Sequence, residues 1–439
     1  MMVKSRFLIS TTERLKFMKC KIEKARLSGK ISCPPNKSYT HRAVFLSTLA
    51  KGQSKISNVL LSRDTIATID VCKNFGAKIE IEGSNLTVES IGVINLQSKH
   101  IDASNSGTTI RIAAAISSLS EDVVTLDGDS SLRKRPMQLL LDSLQSLGAK
   151  CTSTDGKPPI TIQGKITGGQ VTIPGSVSSQ FISALMIVAP KAENGITLNI
   201  EGELVSKPYL DATISSMKKF GVKVEVVFPY KKYNIPTQDY TATNFVIPSD
   251  FSSMALLLSA AVLLGDDFEI HASVGDLPQG DREIITHLQN MGVRVNINND
   301  TITVNSPPLL EGGRFDISNT PDLLPAMAIL ALKTRKPIEL YNVKHARFKE
   351  TDRIAILARE LAKLGVQVQE KEDGLILEAP KNLKGGDLES SDDHRLFMAF
   401  CIAGMYVGNC TVSDPESVDV SYPSFIEDMN KVGGKILSF

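Results

Sequence analysis

The sequence predicts an α/β protein made of six copies of one unit and folded as two domains. A helical pattern runs into a glycine, and a strand pattern follows it, at six places in the chain. These glycines are Gly76, Gly148, Gly221, Gly292, Gly365 and Gly433. Glycine ends a helix at low cost because it adopts the left-handed conformation. Since the six lie about seventy residues apart, they indicate a repeat.

Within each unit, a helix with one apolar face precedes the glycine and a half-buried strand follows it. The segments Leu139–Leu147, Ile284–Met291 and Ile354–Leu364 carry apolar residues at helical spacing. Polar and apolar residues alternate in Lys78–Glu82 and Arg294–Asn298, the pattern of a strand with one buried face.

Each unit also contains helices that are apolar nearly all round, which predicts that they lie inside a domain. These segments are Thr108–Ser118, Ser179–Ala189, Ser252–Leu264, Leu323–Leu332 and Arg395–Tyr406. Two helices and several strands per unit therefore account for most of the chain.

Six units cannot share one core, because single cores stop growing at roughly 250–300 residues. Three units per domain is the natural division. The strand expected at Lys19–Leu27 belongs with the later units, so the chain crosses between domains twice. The predicted boundaries are residues 1–34 plus 247–439 for one domain, 35–246 for the inserted domain, and hinges near 33–37 and 245–250. Residues 1–17 are expected to lie outside the core, as an extension.

Composition excludes several classes of function. Lys plus Arg (49) nearly equals Asp plus Glu (48), so no overall charge favours nucleic acid or an anionic membrane. No apolar run reaches the about 18 residues of a membrane span. The six cysteines form no CxxC pair, which indicates free thiols rather than a metal site or disulfides. Residues 1–17 lack the pattern of a secretion signal. We expect a cytoplasmic protein.

Cationic and hydroxyl side chains gather where helices are predicted to begin. In Pro34–Arg42, two prolines precede Lys37, Ser38 and Arg42 at the start of a helix, whose positive end attracts anions. An ordinary capped helix with solvated cations explains this stretch equally well. Similar clusters occur at Asn105–Arg111, Ser130–Pro136, Gly175–Gln180, Ser206–Tyr209, Thr320–Asp322, Lys349–Arg353 and Asp393–Arg395. Their shared position predicts one anion-binding cleft between the domains.

The densest of these clusters is Lys349–Arg353. Glu350 or Thr351 is expected to cap a helix that begins near Asp352. Lys349 and Arg353, four residues apart on one helix face, would repel each other, which disfavours stability and favours an anionic ligand.

Taken together and in order, these motifs resemble the 5-enolpyruvylshikimate-3-phosphate synthase family over residues 18–439. The resemblance implies a two-domain inverse α/β barrel, with three βαβαββ repeats in each domain. It also implies a transferase of the shikimate pathway, which leads to chorismate and the aromatic amino acids. Such an enzyme moves the enolpyruvyl group of phosphoenolpyruvate to the 5-hydroxyl of shikimate 3-phosphate and releases phosphate. It needs no metal or organic cofactor, and a monomer is expected.

The resemblance assigns roles to individual residues. Asp322 is the expected base, Glu350 the expected proton donor, and Lys37 contributes to catalysis. Shikimate 3-phosphate is expected to contact Lys37, Ser38, Arg42, Ser178, Ser179, Gln180, Ser206, Asp322 and Lys349. Phosphoenolpyruvate is expected to contact Lys37, Gly107, Arg135, Gln180, Arg353 and Arg395.

At three positions the chain departs from the family pattern. Asn36 stands where the family often has Ser, and His345 where it often has Asn. Val420 occupies the place of a Lys that helps to bind phosphoenolpyruvate. We expect weaker phosphoenolpyruvate binding unless a neighbour such as Lys431 supplies the charge.

Two alternatives share this fold. UDP-N-acetylglucosamine enolpyruvyl transferase has Lys-Asn where this chain has Lys37-Ser38, and usually a reactive Cys in a mobile loop; no Cys lies in residues 112–135. A non-catalytic binding protein would have no need of both Asp322 and Glu350. Both residues are present, so an enzyme is the expected reading.

Overall fold

A computed structural model describes residues 19–176 and 178–438 of the chain. The expected extension at residues 1–17 lies outside the described part. The strands are β1 Lys19–Ile22, β2 Leu27–Ser32, β3 Ala50–Ser57, β4 Lys78–Glu82, β5 Asn85–Ile91, β6 His100–Asp102, β7 Val123–Asp127, β8 Lys150–Thr154, β9 Lys157–Gln163, β10 Gly169–Pro174, β11 Ile196–Glu201, β12 Glu225–Phe228, β13 Lys232–Ile235, β14 Tyr240–Thr241, β15 Asn244–Val246, β16 Gly265–His271, β17 Arg294–Asn298, β18 Thr301–Asn305, β19 Gly313–Asp316, β20 Ile338–Tyr341, β21 Gln367–Lys371, β22 Gly374–Glu378, β23 Asp387–Leu388, β24 Cys410–Ser413 and β25 Ile436–Ser438.

The α-helices alternate with these strands along the chain. They are α1 Lys37–Leu49, α2 Arg63–Asn74, α3 Gly107–Ser117, α4 Gln138–Ser146, α5 Ser179–Val188, α6 Lys207–Lys219, α7 Phe251–Leu264, α8 Ile284–Asn290, α9 Leu324–Ile329, α10 Arg353–Lys363, α11 His394–Val407 and α12 Phe425–Lys431. Short 3₁₀ turns at Gly280–Glu283, Pro321–Leu323, Lys344–Phe348 and Pro415–Val420 matter for the site.

The predicted repeat is confirmed. Each even-numbered helix, from α2 to α12, ends just before one of the six glycines, and all six glycines have φ between 83° and 109°. The strands form six sheets. Five have one parallel pair followed by two antiparallel pairs. Examples are the orders β6-β7-β9-β8 and β19-β20-β22-β21. In the sixth, β14 and β15 both lie parallel to β3, and the antiparallel strands β5 and β4 follow.

Two hydrophobic cores divide the molecule. One contains buried residues between 39 and 247, which we call the first half. The other combines residues 20–33 with residues 251–436, which we call the second half. Helices α1, α3 and α5 are buried in the first core, and α7, α9 and α11 in the second. The sheets lie outside these helices and turn one face to solvent, as the inverse barrel requires.

The chain passes between the halves along two neighbouring segments. β2 pairs with β16 of the second half, and β15 pairs with β3 of the first. Between them, Asn36 N donates to Pro248 O and Asp250 N donates to Pro34 O, both at 2.8 Å. The two crossover segments therefore run side by side.

Three local expectations need correction. The single strand expected at Lys19–Leu27 is two strands, because β1 pairs with β24 and β25 while β2 belongs to the sheet of β16. The helix expected at Leu323–Leu332 is α-helical only over α9, with 3₁₀ turns on both sides. Asp352, rather than Glu350 or Thr351, caps α10, by accepting a hydrogen bond from Ala355 N at 3.0 Å.

Two further findings concern the described residues. None of their helices is long and apolar enough to cross a membrane. All six cysteines are free thiols.

The repeat glycines provide a matched stability test. A Cβ at Gly292 would meet only Pro307, at 3.8 Å, whereas at Gly365 it would lie 2.6 Å from the backbone oxygen of Asn382. We expect Gly292→Ala to lower the free energy of unfolding by about 1–2 kcal/mol, the cost of the left-handed conformation. Gly365→Ala should cost more, because backbone must also move. Urea unfolding of both variants checks this, and equal losses would contradict it.

Candidate active site

A cavity between the two halves brings together all but one of the predicted site residues. Those lining it are Lys37, Ser38, Gly107, Arg135, Ser178, Ser179, Gln180, Ser206, Asp322, Lys349, Glu350, Arg353 and Arg395. Arg135 lies between a 3₁₀ turn and α4, and the others lie at or just before the starts of α1, α3, α5, α6, α10 and α11, or at the turn before α9. Helix starts present unpaired N–H groups and a positive dipole end, so their convergence favours an anionic ligand.

Arg353 is the centre of the second-half wall. Its side chain is 1% exposed, and it donates to three carboxylates. Nη1 donates to Asp322 Oδ1 at 2.8 Å, Nη2 to Glu350 Oε2 at 2.7 Å, and Nε to Asp393 Oδ2 at 2.7 Å. One guanidinium thus fixes the relative positions of the expected base and the expected proton donor.

Asp322 is surrounded by hydrogen-bond donors and cations. Besides Arg353, its carboxylate receives hydrogen bonds from Tyr209 Oη at 3.0 Å and Arg395 Nη2 at 3.3 Å, and Lys349 Nζ lies 3.6 Å away. Burial alone would raise the pKa of Asp322, but the charges of Arg395, Lys349 and Arg353 outweigh it and hold the pKa well below its usual range. Asp322 is therefore ionised in the free protein and can accept a proton.

Glu350 is also ionised. Burial opposes its charge, but Arg353, Arg135 and other neighbouring cations hold the pKa of Glu350 well below its usual value. The sequence predicted that Lys349 and Arg353 share one helix face, and this prediction is wrong. Lys349 precedes α10, yet both cations approach the same oxygen of Asp322.

The first-half wall carries a pair of guanidinium groups. Arg135 Nη2 donates to Asn105 Oδ1 at 2.8 Å, and Arg111 Nη1 donates to Gln180 Oε1. Burial, with the charge of Arg135, lowers the pKa of Arg111 to about 9. A Cβ at Gly107 would lie 2.9 Å from Arg135 Nη1 and 3.0 Å from Arg111 Nη1, so a larger residue here would displace these guanidinium groups.

Lys37 and the serines complete the cavity. Lys37 Nζ lies 3.1 Å from Asp64 Oδ2. Ser178 is the N-cap of α5, and its hydroxyl accepts a hydrogen bond from Gln180 N at 3.3 Å. Ser206 has φ 57° and donates its N–H to Ser318 O, so this serine lies where the halves touch.

Arg42 is the predicted site residue that does not line the cavity. It is buried beneath it, where Nε donates to Thr213 Oγ1 at 2.9 Å and Nη2 donates to Tyr209 O at 3.0 Å. Nη1 donates to Ser38 O, so Arg42 supports two residues that do line the cavity.

Several lining residues were absent from the predicted set, among them Asp64, Tyr209, Asp250, Ser252 and His394. Each lies at or beside a helix start, as the predicted residues do. A rule that admitted every polar residue at the start of a helix in the repeat would have found them. Tyr209 and His394 lie inside two of the clusters named from the sequence but received no role there, and Asp64, Asp250 and Ser252 lie in none of those clusters.

Buried polar atoms without a partner among the described residues point into this region. They include Arg111 Nε, Arg135 Nε, Arg395 Nη1 and His345 Nε2. The cavity lining carries six Lys or Arg side chains and four carboxylates. Because unpaired buried donors are costly, this arrangement suits a ligand with several negative charges.

The three departures have different surroundings. Asn36 caps α1 and reaches the second half. His345 lines the cavity, and burial with the charge of Lys349 lowers its pKa to about 4, so its imidazole is neutral. Val420 is buried on the turn before α12. Lys431 is 62% exposed and pairs with Glu427 and Asp428, so it does not replace the missing cation.

Asp281 beside the site predicts a pH-dependent stability. It is 4% exposed, and burial with the charge of Asp322 raises its pKa to about 7; Arg395 opposes this and Asp250 adds to it. The pKa of an unfolded Asp is about 3.9. Between this pH and the folded pKa, Asp281 binds a proton in the folded state and not in the unfolded state, so the protein loses stability as the pH rises. Asp281→Asn lacks this titration. The unfolding free energy of the variant minus that of wild type should therefore rise by about 2–3 kcal/mol from pH 5 to pH 8. Urea unfolding at both pH values measures this, and parallel pH dependences would contradict it.

Comparisons with known proteins agree with this geometry. A family model described as EPSP synthase (3-phosphoshikimate 1-carboxyvinyltransferase) matches residues 22–429. A curated 3-phosphoshikimate 1-carboxyvinyltransferase of Nitrosopumilus maritimus is 62% identical over 419 residues, covering 95% of this chain and 99% of the relative. One of the same name from Methanocella arvoryzae is 42% identical over 434 residues, covering 95% and 100%.

Solved structures give the same result. EPSP synthase from Acinetobacter baumannii superposes with a TM-score of 0.80 at 26% identity, covering 96% of this chain and all of that one. An enolpyruvyl transferase from Streptomyces tendae has a TM-score of 0.78 at 17% identity, covering 97% and 99%, and supports the fold alone. The chain belongs to the EPSP synthase family.

Proposed function

We infer that this chain transfers the enolpyruvyl group of phosphoenolpyruvate to the 5-hydroxyl of shikimate 3-phosphate and releases phosphate. One observation carries the inference. Arg353 holds Asp322 and Glu350 in one cavity whose walls carry six cations. Addition followed by elimination needs a base and an acid beside bound anions, and Asp322 and Glu350 among these cations meet that need.

The proposed reaction is an addition followed by an elimination. In the addition, Asp322 takes the proton of the 5-hydroxyl, and the oxygen of that hydroxyl bonds to C2 of phosphoenolpyruvate. Glu350 gives a proton to the methylene carbon. In the elimination, the new methyl group returns a proton to Glu350, the C2–O bond to phosphate breaks, and the proton from the hydroxyl leaves with phosphate. The double bond between C2 and the methylene carbon forms again.

Glu350 must bind a proton before it can donate one. In the free protein the cations around it keep it ionised. Two anionic substrates would occupy Arg353, Arg135 and Lys37, and would weaken the hold of these cations on the carboxylate. We propose that substrate binding itself raises the pKa of Glu350 and prepares it as the acid.

The residue contacts follow from the resemblance and stay proposals. Lys37 and Gln180 would touch both ligands. For phosphoenolpyruvate, the others are Gly107, Arg135, Arg353 and Arg395. For shikimate 3-phosphate, they are Ser38, Arg42, Ser178, Ser179, Ser206, Asp322 and Lys349. All except Arg42 line the cavity, and Arg42 would act through Ser38.

The wider assignments are also proposals. We propose domain boundaries at residues 1–34 plus 247–439 and 35–246, with hinges near 33–37 and 245–250, supported by the two cores and the paired crossover segments. We propose a cytoplasmic monomer that binds neither nucleic acid nor membranes, in keeping with the near-balanced charge of the chain.

The direct test is phosphate release from purified protein given phosphoenolpyruvate and either shikimate 3-phosphate or UDP-N-acetylglucosamine. Release with shikimate 3-phosphate alone is the expected result. Release with UDP-N-acetylglucosamine would assign the other transfer reaction. Binding of shikimate 3-phosphate without release would indicate a protein that binds the ligand and does not react it.

Asp322→Asn and Glu350→Gln test the proton-transfer roles. Each keeps the shape of the side chain and removes the ability to exchange a proton. We expect kcat to fall by about 10²–10⁴-fold in each, the usual contribution of general acid–base catalysis. KM should change less than kcat, because the binding cations stay in place; in Asp322→Asn, one proposed contact of shikimate 3-phosphate also changes. Steady-state kinetics measure both constants, and unchanged turnover in Asp322→Asn would contradict its role as the base.

Val420 tests the charge that binds phosphoenolpyruvate. A lysine at this position would restore the cation that Lys431 does not supply. We expect Val420→Lys to lower KM for phosphoenolpyruvate about tenfold, the value of one charge-assisted contact. KM for shikimate 3-phosphate should change little and serves as the internal control. An unchanged KM for phosphoenolpyruvate would show that this chain has no missing charge.

A further inference from the structure

Asn36 joins the two halves beside the cavity. Its side chain is 5% exposed and makes three hydrogen bonds. Oδ1 accepts from Tyr39 N at 2.8 Å, which caps α1. Nδ2 donates to Asp250 Oδ1 at 2.8 Å and to Gln279 Oε1 at 2.7 Å, both in the second half. We call Asn36, Asp250 and Gln279 the Asn36 junction.

The partners of Asn36 are themselves fixed. Gln279 Oε1 also accepts from Phe251 N at 3.0 Å, and Gln279 Nε2 donates to Ser249 O at 2.9 Å. Asp250 Oδ2 accepts from Ser253 Oγ at 2.9 Å. The junction therefore ties the start of α1 to the start of α7 and to the turn Gly280–Glu283, all next to the paired crossover segments.

The starts of α1 and α7 supply the cavity with side chains. Lys37 and Ser38 follow Asn36 directly, and Asp250 and Ser252 line the same cavity from the other half. A displacement of about 1 Å between reacting groups can cost 10²-fold in rate. The junction thus sets where the first-half cation Lys37 stands relative to Asp322 of the second half.

Only an amide side chain meets all three requirements. The cap needs an acceptor, and the two second-half oxygens need two donors. Aspartate has no donor when ionised, and serine has one hydroxyl proton. Where the family often has Ser, this chain has Asn, and the second donor of Asn36 has its partner in Gln279, which is half-buried.

We propose that Asn36 is a positioning residue for enolpyruvyl transfer, which holds Lys37 and Ser38 in register with the second half through Asp250 and Gln279. This inference rests on the proposed function. Asn36 itself touches no reacting atom, and it acts through the placement of α1.

Two variants test the proposal. Asn36→Ser keeps the cap and one donor. Asn36→Asp keeps the shape and the cap, removes both donors, and sets a carboxylate against Asp250. Asn58→Asp is the matched control, because Asn58 Nδ2 donates to Ile247 O on the same crossover segment at 2.8 Å but does not line the cavity. Asn58 has φ 58°, a conformation that aspartate also tolerates.

We expect kcat/KM to fall about tenfold in both Asn36 variants at pH 8, since the start of α1 loses at least one of its two hydrogen bonds to the second half and Lys37 shifts with it. In Asn36→Asp the loss should shrink at pH 6, because two facing carboxylates share a proton that restores a donor. Burial of Asp250 favours its protonation, whereas the charges of Lys37 and Arg395 oppose it. Asp281 is the other nearby acid. Asn36→Ser should show no such recovery, and Asn58→Asp should match wild type at both pH values.

Wild-type activity in Asn36→Ser, or a loss in Asn36→Asp that does not depend on pH, would overturn the proposal. So would an equal loss in Asn58→Asp. A double-mutant cycle of Asn36→Ser with Gln279→Ala, measured by urea unfolding, tests the junction without any substrate, and additive effects would contradict it. If wild type releases no phosphate, the proposed function fails, while the cycle still decides whether the junction exists.

Discussion

The site depends on one buried cation. Arg353 is almost wholly enclosed, and an unpaired guanidinium there would be very costly. Its three carboxylate partners, Asp322, Glu350 and Asp393, offset that cost and are held in fixed places by it. Removing one partner would leave a buried N–H group of this guanidinium without its acceptor. The geometry of the proposed base and acid is therefore also a requirement for stability of this wall.

The rest of the architecture brings helix starts to that cation. Helices lie inside each half and sheets lie outside, so the helix ends, rather than their faces, meet in the cleft. Each half supplies several such ends, and the two walls differ in charge. The first-half wall has Arg111 and Arg135 close together, and the second-half wall has carboxylates among its cations. Both walls supply cations, and the proposed base and acid both belong to the second-half wall.

The crossover segments connect these walls. Pro34 and Pro35 stiffen one of them, and backbone hydrogen bonds pair it with residues 248–250. Asn36 lies at the point where this pairing meets the start of α1. A feature that the sequence marked only as a departure thus has a physical explanation in the second donor of its amide.

By itself the sequence determined the repeat, the elements and the chemical types in the site. Glycines with left-handed φ, alternating strands and apolar helices are local properties, and so are Lys, Arg and Ser at helix starts. The tertiary structure decided the pairings: Arg353 with three carboxylates, Lys37 with Asp64, and Arg42 beneath the cavity rather than in it. Lys37 and Asp64 are 27 positions apart in the chain, and Arg42 and Thr213 are 171 apart. The place of Arg353 depends on where α10 begins, directly after its cap Asp352. Local periodicity carries no information about such contacts, because they are fixed by how elements far apart in the chain pack against each other within each half.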